Sequence, residues 1–191
     1  MTLTNIIILA CLFVWLVFET IWDLCDRNIP VWFSLVMLIP GIILLAITIS
    51  LWVAILMAVS IVSTEVYHRS RIAGLIGIFV PILLLAILFP VALPLVVGWG
   101  ILVTLWLIKL LGGADALAGL SLLIFFLNWF MGAAILSGLL AWGVAMLIHR
   151  YGTQVGVRLW TVFQARLQGE KLPGIGAYAL AALFYGLYRL F

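Results

Sequence analysis

The acidic residues of this chain are few enough to consider singly, and two of them stand where a carboxylate could activate water. Asp23 ends an apolar run that begins at Leu3, and Asp115 follows Gly112-Gly113-Ala114 between two other apolar runs. Two carboxyl groups a few ångströms apart cannot both ionise, so they share one proton. One then acts as a base on water while the other acts as an acid toward a peptide bond. A carboxyl pair of this kind can hydrolyse a peptide bond with neither a cofactor nor a metal.

Each carboxylate also has a structural interpretation. Glu19, Asp23 and Asp26 recur at i, i+4 and i+7, so they share one face of any helix that reaches Asp26. At a helix end in the headgroup layer they would be solvated, with Arg27 compensating the charge. Asp115 could cap the helix that follows it. We favour solvation for Asp26 and chemistry for Asp23, because Asp115 offers Asp23 a counterpart.

The elements that hold these residues must lie in a membrane. Hydrophobic residues form 68% of the 191, charged residues only 8%, and the mean hydropathy is +1.43. A soluble domain has about 25% charged residues and cannot hide so much apolar surface. The composition therefore excludes a soluble enzyme, a disordered chain and a nucleic-acid-binding domain, and it predicts lipid as a partner.

The apolar runs predict an all-α polytopic helix bundle in one domain, residues 1–191. We expect about eight spans, or six where adjacent short segments form single tilted helices. Residues 150–173 are expected to form a cytoplasmic loop, with an amphipathic helix at the membrane interface over 154–167. The predicted spans are 3–22, 32–49, 51–66, 72–89, 91–108, a short span on each side of Asn128-Trp129, and 174–188.

Basic residues set the orientation of this bundle. With the N-terminus outside, eight of the nine lysines and arginines fall in cytoplasmic loops, as the positive-inside rule requires. Both Asp23 and Asp115 then lie at the cytoplasmic face of the plasma membrane. The eight are Arg27, Arg69, Arg71, Lys109, Arg150, Arg158, Arg166 and Lys171.

Two segments together resemble a known family. The run Trp22-Asp23-Leu24-Cys25-Asp26-Arg27-Asn28-Ile29-Pro30 resembles the first catalytic segment of the type IV prepilin peptidases. The run Gly112-Gly113-Ala114-Asp115 resembles their GxGD motif, and Lys171-Leu172-Pro173 is similar to the turn before their final helix. Ala114 stands where many members have glycine, and the chain has no match to the four-cysteine domain of many bacterial members. The resemblance is therefore to a short, archaeal-type form.

This resemblance implies a membrane-embedded aspartic endopeptidase. Its catalytic residues would be Asp23 and Asp115, supported by the motif residues Gly112, Gly113, Ala114, Arg27 and Pro30. The substrate would be a prepilin- or prearchaellin-like preprotein, from which the enzyme removes a short basic leader ahead of a hydrophobic helix. The expected substrate contacts are Glu19, Asp26, Lys171 and Pro173.

Two other classes stay open. Glu19, Asp23 and Asp115 could instead form the path of a small proton- or cation-coupled transporter, or the chain could be a non-catalytic scaffold. A peptidase requires Asp23 and Asp115 to lie close together near one membrane face. A transporter requires charges nearer the midplane.

Overall fold

The computed structural model describes residues 3–26, 31–151 and 175–190, and all regular structure in these ranges is helical. The expected all-α fold is confirmed. A short 3-10 helix, Pro90–Ala92, separates the fourth α-helix from the fifth. In chain order, the α-helices of these ranges are α1 Leu3–Asp26, α2 Val31–Thr48, α3 Leu51–Arg69, α4 Arg71–Leu88, α5 Leu93–Leu107, α6 Gly113–Phe125, α7 Trp129–Tyr151 and α8 Gly176–Leu190.

Four apolar segments are long enough to cross a membrane, which indicates a membrane protein. They are Thr4–Asp23, Leu51–Arg69, Arg71–Leu88 and Pro90–Leu107. The other predicted spans correspond to shorter apolar stretches of 10–17 residues within α2, α6, α7 and α8, namely Phe33–Thr48, Gly113–Phe125, Trp129–Ala145 and Gly176–Tyr188. A bilayer core requires about 20 residues. The predicted count of eight spans is therefore not confirmed.

The outer surface of the bundle is apolar. Ile47 is 77% exposed, Ile72 75% and Leu140 71%, and many other large aliphatic side chains face outward with them. In water so extensive an apolar surface would drive association. Against lipid chains the same surface carries no such penalty, so it suits a membrane environment.

Two of the helix breaks predicted from sequence are confirmed, and each contains a capping side chain. Ser50 separates α2 from α3, and its hydroxyl accepts the backbone N–H of Trp52 at 3.2 Å. Asn128 precedes α7, and its side-chain oxygen accepts the backbone N–H of Met131 at 2.8 Å. These bonds satisfy N–H groups that the first turn of a helix leaves without intrahelical partners.

Several helix ends differ from the prediction, and two of these differences concern the candidate site and the predicted loop. The first helix continues to Asp26 rather than stopping at Trp22. Residues 23–26 contain no glycine or proline, so nothing local interrupts the helix there. The helix α7 continues to Tyr151, so the loop predicted at 150–173 begins later. The rest of that loop lies outside the described residues, together with the predicted helix over 154–167 and the predicted site residues Arg27, Pro30, Lys171 and Pro173.

The helix α6 forms the centre of the bundle. It packs against α1, α2, α5, α7 and α8, and most of its residues from Asp115 to Ile124 are buried. Only small and aliphatic residues surround Asp115 on this helix, because five neighbours must pack closely against it. A carboxyl group at its start therefore lies inside the bundle rather than on its surface.

Hydroxyl and indole groups join helices elsewhere in the bundle. The hydroxyl of Ser60 in α3 donates to the backbone oxygen of Ile78 in α4 at 3.2 Å. The same hydroxyl accepts Nε1–H of Trp99 in α5 at 2.9 Å. These bonds connect α3, α4 and α5 into one side of the bundle.

One end of the bundle collects the ends of α1, α3 and α5 and the starts of α2 and α6. Glu19 near the end of α1 contacts Ser34 near the start of α2. Tyr67 near the end of α3 lies against Trp106 near the end of α5, with ring centroids 5.4 Å apart. We call this end, which also contains Asp115, the carboxylate end.

Candidate active site

Asp115 lies in the first turn of α6 and is 6% exposed. Its Oδ2 accepts the backbone N–H of Gly112 at 2.9 Å, three residues earlier. Asp115 is thus the third residue of α6, and its side chain accepts a hydrogen bond from Gly112, the residue that precedes the helix. Asp115 does not itself precede the helix as an N-cap. A carboxylate here is also favoured by the dipole at the helix N-terminus.

The turn between α5 and α6 directs Asp115 into the bundle. Lys109 has a φ of 62°, in the left-handed region. Its N–H donates to the oxygen of Trp106 at 2.9 Å, and the N–H of Leu110 donates to the oxygen of Leu105 at 2.8 Å. These two bonds form the Schellman motif that ends many helices, in which glycine is the usual left-handed residue. The motif ends α5, and α6 begins four residues after Lys109.

Asp23 lies near the end of α1, one helical turn after Glu19, and is half-buried. The helix continues to Asp26, so the i, i+4, i+7 relationship of the three acids holds along the backbone. The side chain of Asp26 lies outside the part of the chain that the structure describes. Asp23 therefore combines access from outside the bundle with closeness to a buried carboxyl group.

Glu19 is the most deeply buried acidic residue of the described ranges, with 0% exposure. Its Oε1 accepts the hydroxyl of Ser34 in α2 at 3.1 Å. Its Oε2 is buried and has no hydrogen-bond partner among the described residues. The carboxyl groups of Asp115 and Asp23 are both close enough to act on Glu19 electrostatically, and Asp115 acts more strongly than Asp23.

The structure thus places the predicted residues Asp23 and Asp115, which lie on two different helices, within electrostatic range of Glu19. The burial of Glu19 differs from the exposed position that a contact with a basic leader peptide needs. Ser34 was not a predicted site residue. Its one signal in the sequence is that it is a lone hydroxyl in the apolar first half of α2.

Tyr178 of α8 also lies near Asp115. Like Ser34, it was not a predicted site residue. Its side chain is fully buried, and its hydroxyl has no hydrogen-bond partner among the described residues. Asp115 is close enough to act on this hydroxyl electrostatically. A β-carbon at Gly119, one turn after Asp115, would lie 2.6 Å from Cε1 of Tyr178. Glycine is needed there so that the ring can lie against α6.

An aromatic cluster lies beside the start of α6. Tyr67 and His68 at the end of α3 both meet Trp106 edge to face, and the centroids of His68 and Trp106 are 5.8 Å apart. A β-carbon built at Gly113 would lie 3.7 Å from Nε1 of Trp106. The cluster therefore covers one side of the motif that contains Asp115.

The two motif glycines differ in what surrounds them. A β-carbon at Gly112 would lie 2.9 Å from Oδ2 of Asp115, which is closer than real side chains approach. Gly112 has a φ of −71°, which any residue adopts, so the constraint comes from the carboxylate and not from the backbone. At Gly113 the nearest atom lies at an ordinary contact distance. Gly112 is thus the glycine that the Asp115 carboxylate requires.

In the described ranges, no three histidine, cysteine, aspartate or glutamate side chains converge as metal ligands. Three neighbouring carboxyl groups, two of them buried, can instead hold and exchange protons, since each protonation relieves repulsion among the others. Comparisons of the chain with protein-family models, with curated proteins and with solved structures find no match.

Proposed function

We propose that the chain is a membrane-embedded aspartic endopeptidase in which Asp23 and Asp115 activate water. One observation carries this proposal: the carboxyl groups of Asp23, near the end of α1, and of Asp115, at the start of α6, are both close enough to Glu19 to act on it electrostatically. Both segments resemble the prepilin peptidase motifs, and this resemblance supports peptide hydrolysis as the reaction class. Asp115 is anchored by the Gly112 N–H, whereas Asp23 is accessible from outside, as a substrate-facing partner should be.

The reaction that we propose leaves the pair as it began. The ionised carboxylate takes a proton from water, and the water oxygen bonds to the carbonyl carbon of the scissile peptide. The protonated carboxyl gives its proton to the leaving nitrogen as the C–N bond breaks. The products are a new carboxyl group and a new amine, and the pair still holds one proton.

The substrate class follows from the charges and from the resemblance. Basic residues concentrate in the loops at the carboxylate end, which favours the cytoplasmic side for that end. A preprotein with a basic leader and a hydrophobic helix would place its helix in the bilayer and its cleavage site at this face. We therefore propose removal of a short leader from prepilin- or prearchaellin-like preproteins at the plasma membrane.

Leader removal from a panel of prepilins co-expressed with the chain tests this function. Asp23→Asn and Asp115→Asn should each abolish cleavage, because an amide keeps the shape of a carboxyl group but cannot exchange its proton. Glu65→Gln is the matched control, since Glu65 is an exposed acid of α3. Cleavage by the Asp115→Asn variant at the wild-type rate would end the proposal.

A second candidate is a small proton-coupled transporter, and the burial of Glu19 favours it. Carboxyl groups inside a transmembrane bundle commonly form proton pathways. If the chain is such a transporter, proteoliposomes with an entrapped pH dye should show proton movement. Glu19→Gln should abolish this movement and Glu65→Gln should retain it. Leader cleavage without proton movement would select the peptidase.

A further inference from the structure

The buried carboxyl group of Glu19 is not explained by the water-activating pair of Asp23 and Asp115. The apolar packing of α1 does not explain it either. The carboxyl group is fully buried, Asp115 is close enough to act on it electrostatically, and one of its oxygens has no hydrogen-bond partner among the described residues. An ionised carboxylate in an apolar interior is costly unless a cation or several donors compensate its charge. The donor that the structure provides is one neutral hydroxyl, that of Ser34.

The groups around Glu19 add negative charge rather than balance it. Asp115 of α6 is close enough to act on it electrostatically, and so is Asp23, one turn later on its own helix. Among the described side chains of α2, the Ser34 hydroxyl donates to it, and Tyr178 of α8 lies within electrostatic range of Asp115. Among the described residues, a fully buried carboxyl group thus lies within electrostatic reach of two others, so its protonation is coupled to theirs.

We propose that Glu19 is a positioning residue for the Asp23 and Asp115 pair: it lies beside Asp115 as a third proton-holding carboxyl group and sets the alkaline limit of catalysis. This proposal rests on the proposed peptidase function. At low pH Glu19 is neutral and leaves the pair undisturbed. As pH rises, negative charge on Glu19 opposes the loss of the last proton from the pair, so the singly protonated pair persists to higher pH.

The pH–rate profile of leader removal separates this role from a merely structural one. Glutamine at position 19 keeps an oxygen that can accept the Ser34 hydroxyl but carries no charge at any pH. In Glu19→Gln the alkaline half-maximum should move down by about one pH unit, because a like charge at this range is lost. The acid half-maximum should stay in place. Glu65→Gln should move neither limb. A uniform loss of rate without movement of the alkaline limb would overturn the proposal.

Infrared titration of the purified protein tests, without any substrate, whether Glu19 holds a proton that depends on Asp115. The carboxylic-acid carbonyl band of wild type should contain a pH-dependent component that Glu19→Gln removes and Glu65→Gln retains. In Asp115→Asn, which leaves Glu19 in place, this component should disappear at lower pH than in wild type, since one neighbouring charge is gone. A component that is absent, or that titrates identically in Asp115→Asn, would refute the proposal. If the infrared result holds while no prepilin is cleaved, the peptidase function fails and the shared protons of Glu19 and Asp115 stand.

Discussion

The hydroxyl group of Ser34 donates a hydrogen bond of 3.1 Å to Oε1 of Glu19, and this bond joins α2 to α1 at the buried carboxyl group beside Asp115. The helices α1 and α2 are adjacent in the chain, yet the polar contact that connects them is inside the bundle. A substitution at Ser34 therefore acts on the helix pair and on the carboxyl cluster together.

We expect Ser34→Ala to lower the free energy of unfolding by about 1 kcal/mol, since hydrogen bonds between membrane helices contribute on this scale. Thermal unfolding in detergent measures the change. Ser137→Ala on the exposed side of α7 is the matched control and should leave the unfolding temperature unchanged. Equal stability of the two variants would mean that the Ser34 bond contributes nothing.

The pair of Asp23 and Asp115 should produce a bell-shaped dependence of cleavage rate on pH. Activity requires the pair to hold one proton, so the rate falls when a second proton binds and again when the last one leaves. The measurement is leader removal in detergent from acidic to alkaline pH. A flat profile from correctly folded enzyme would exclude a shared proton from the mechanism.

Gly112→Ala should impair cleavage more than Gly113→Ala. A methyl group at position 112 would lie 2.9 Å from Oδ2 of Asp115 and would push the carboxyl group away from its backbone N–H. At position 113 a methyl group meets only an ordinary contact with Trp106. Cleavage rates of the two variants, each with its unfolding temperature, make the comparison. A larger loss in Gly113→Ala would contradict the placement of Asp115.

Gly119→Ala should destabilise the contact of α6 with α8. Its methyl group would come within 2.6 Å of Cε1 of Tyr178 and 2.9 Å of Cδ1 of Leu102, and overpacking of this kind costs about 1–3 kcal/mol. Gly100→Ala is the control, because nothing lies within 4 Å of that position. Alanine there should instead raise stability through its helix propensity, by about 0.5–1 kcal/mol. A similar fall in the unfolding temperatures of Gly119→Ala and Gly100→Ala would refute this prediction.

Cysteine labelling can determine whether α3 crosses the membrane. Ser50 precedes α3 and Ser70 follows it, at opposite ends of that helix. In a variant without Cys11 and Cys25, a cysteine at position 70 should be labelled from the cytoplasm and one at position 50 from outside. Labelling of both from one side would contradict the eight-span topology and the shared face of Asp23 and Asp115.

The sequence by itself determined which elements exist and where most of them break. Apolar runs predict helices, and Ser50 and Asn128 mark the breaks at which the structure has capping side chains. These features are local, because a hydrophobic period and a cap depend on residues within one or two turns. The same local reasoning assigned Asp23 to the end of a helix and Asp115 to the start of another. It did not predict that α1 would continue to Asp26.

Only the tertiary structure decided which of these residues meet. The burial of Glu19 depends on α6 and α8 packing against α1 and on the Ser34 contact from α2, and Tyr178 lies near Asp115 although its helix comes much later in the chain. The requirement for glycine at 112 rather than 113 follows from where the carboxylate of Asp115 lies. Contacts of this kind depend on which helix faces pack together. In a chain that is apolar on nearly every face, the hydrophobic pattern does not distinguish the face toward the bundle from the face toward lipid.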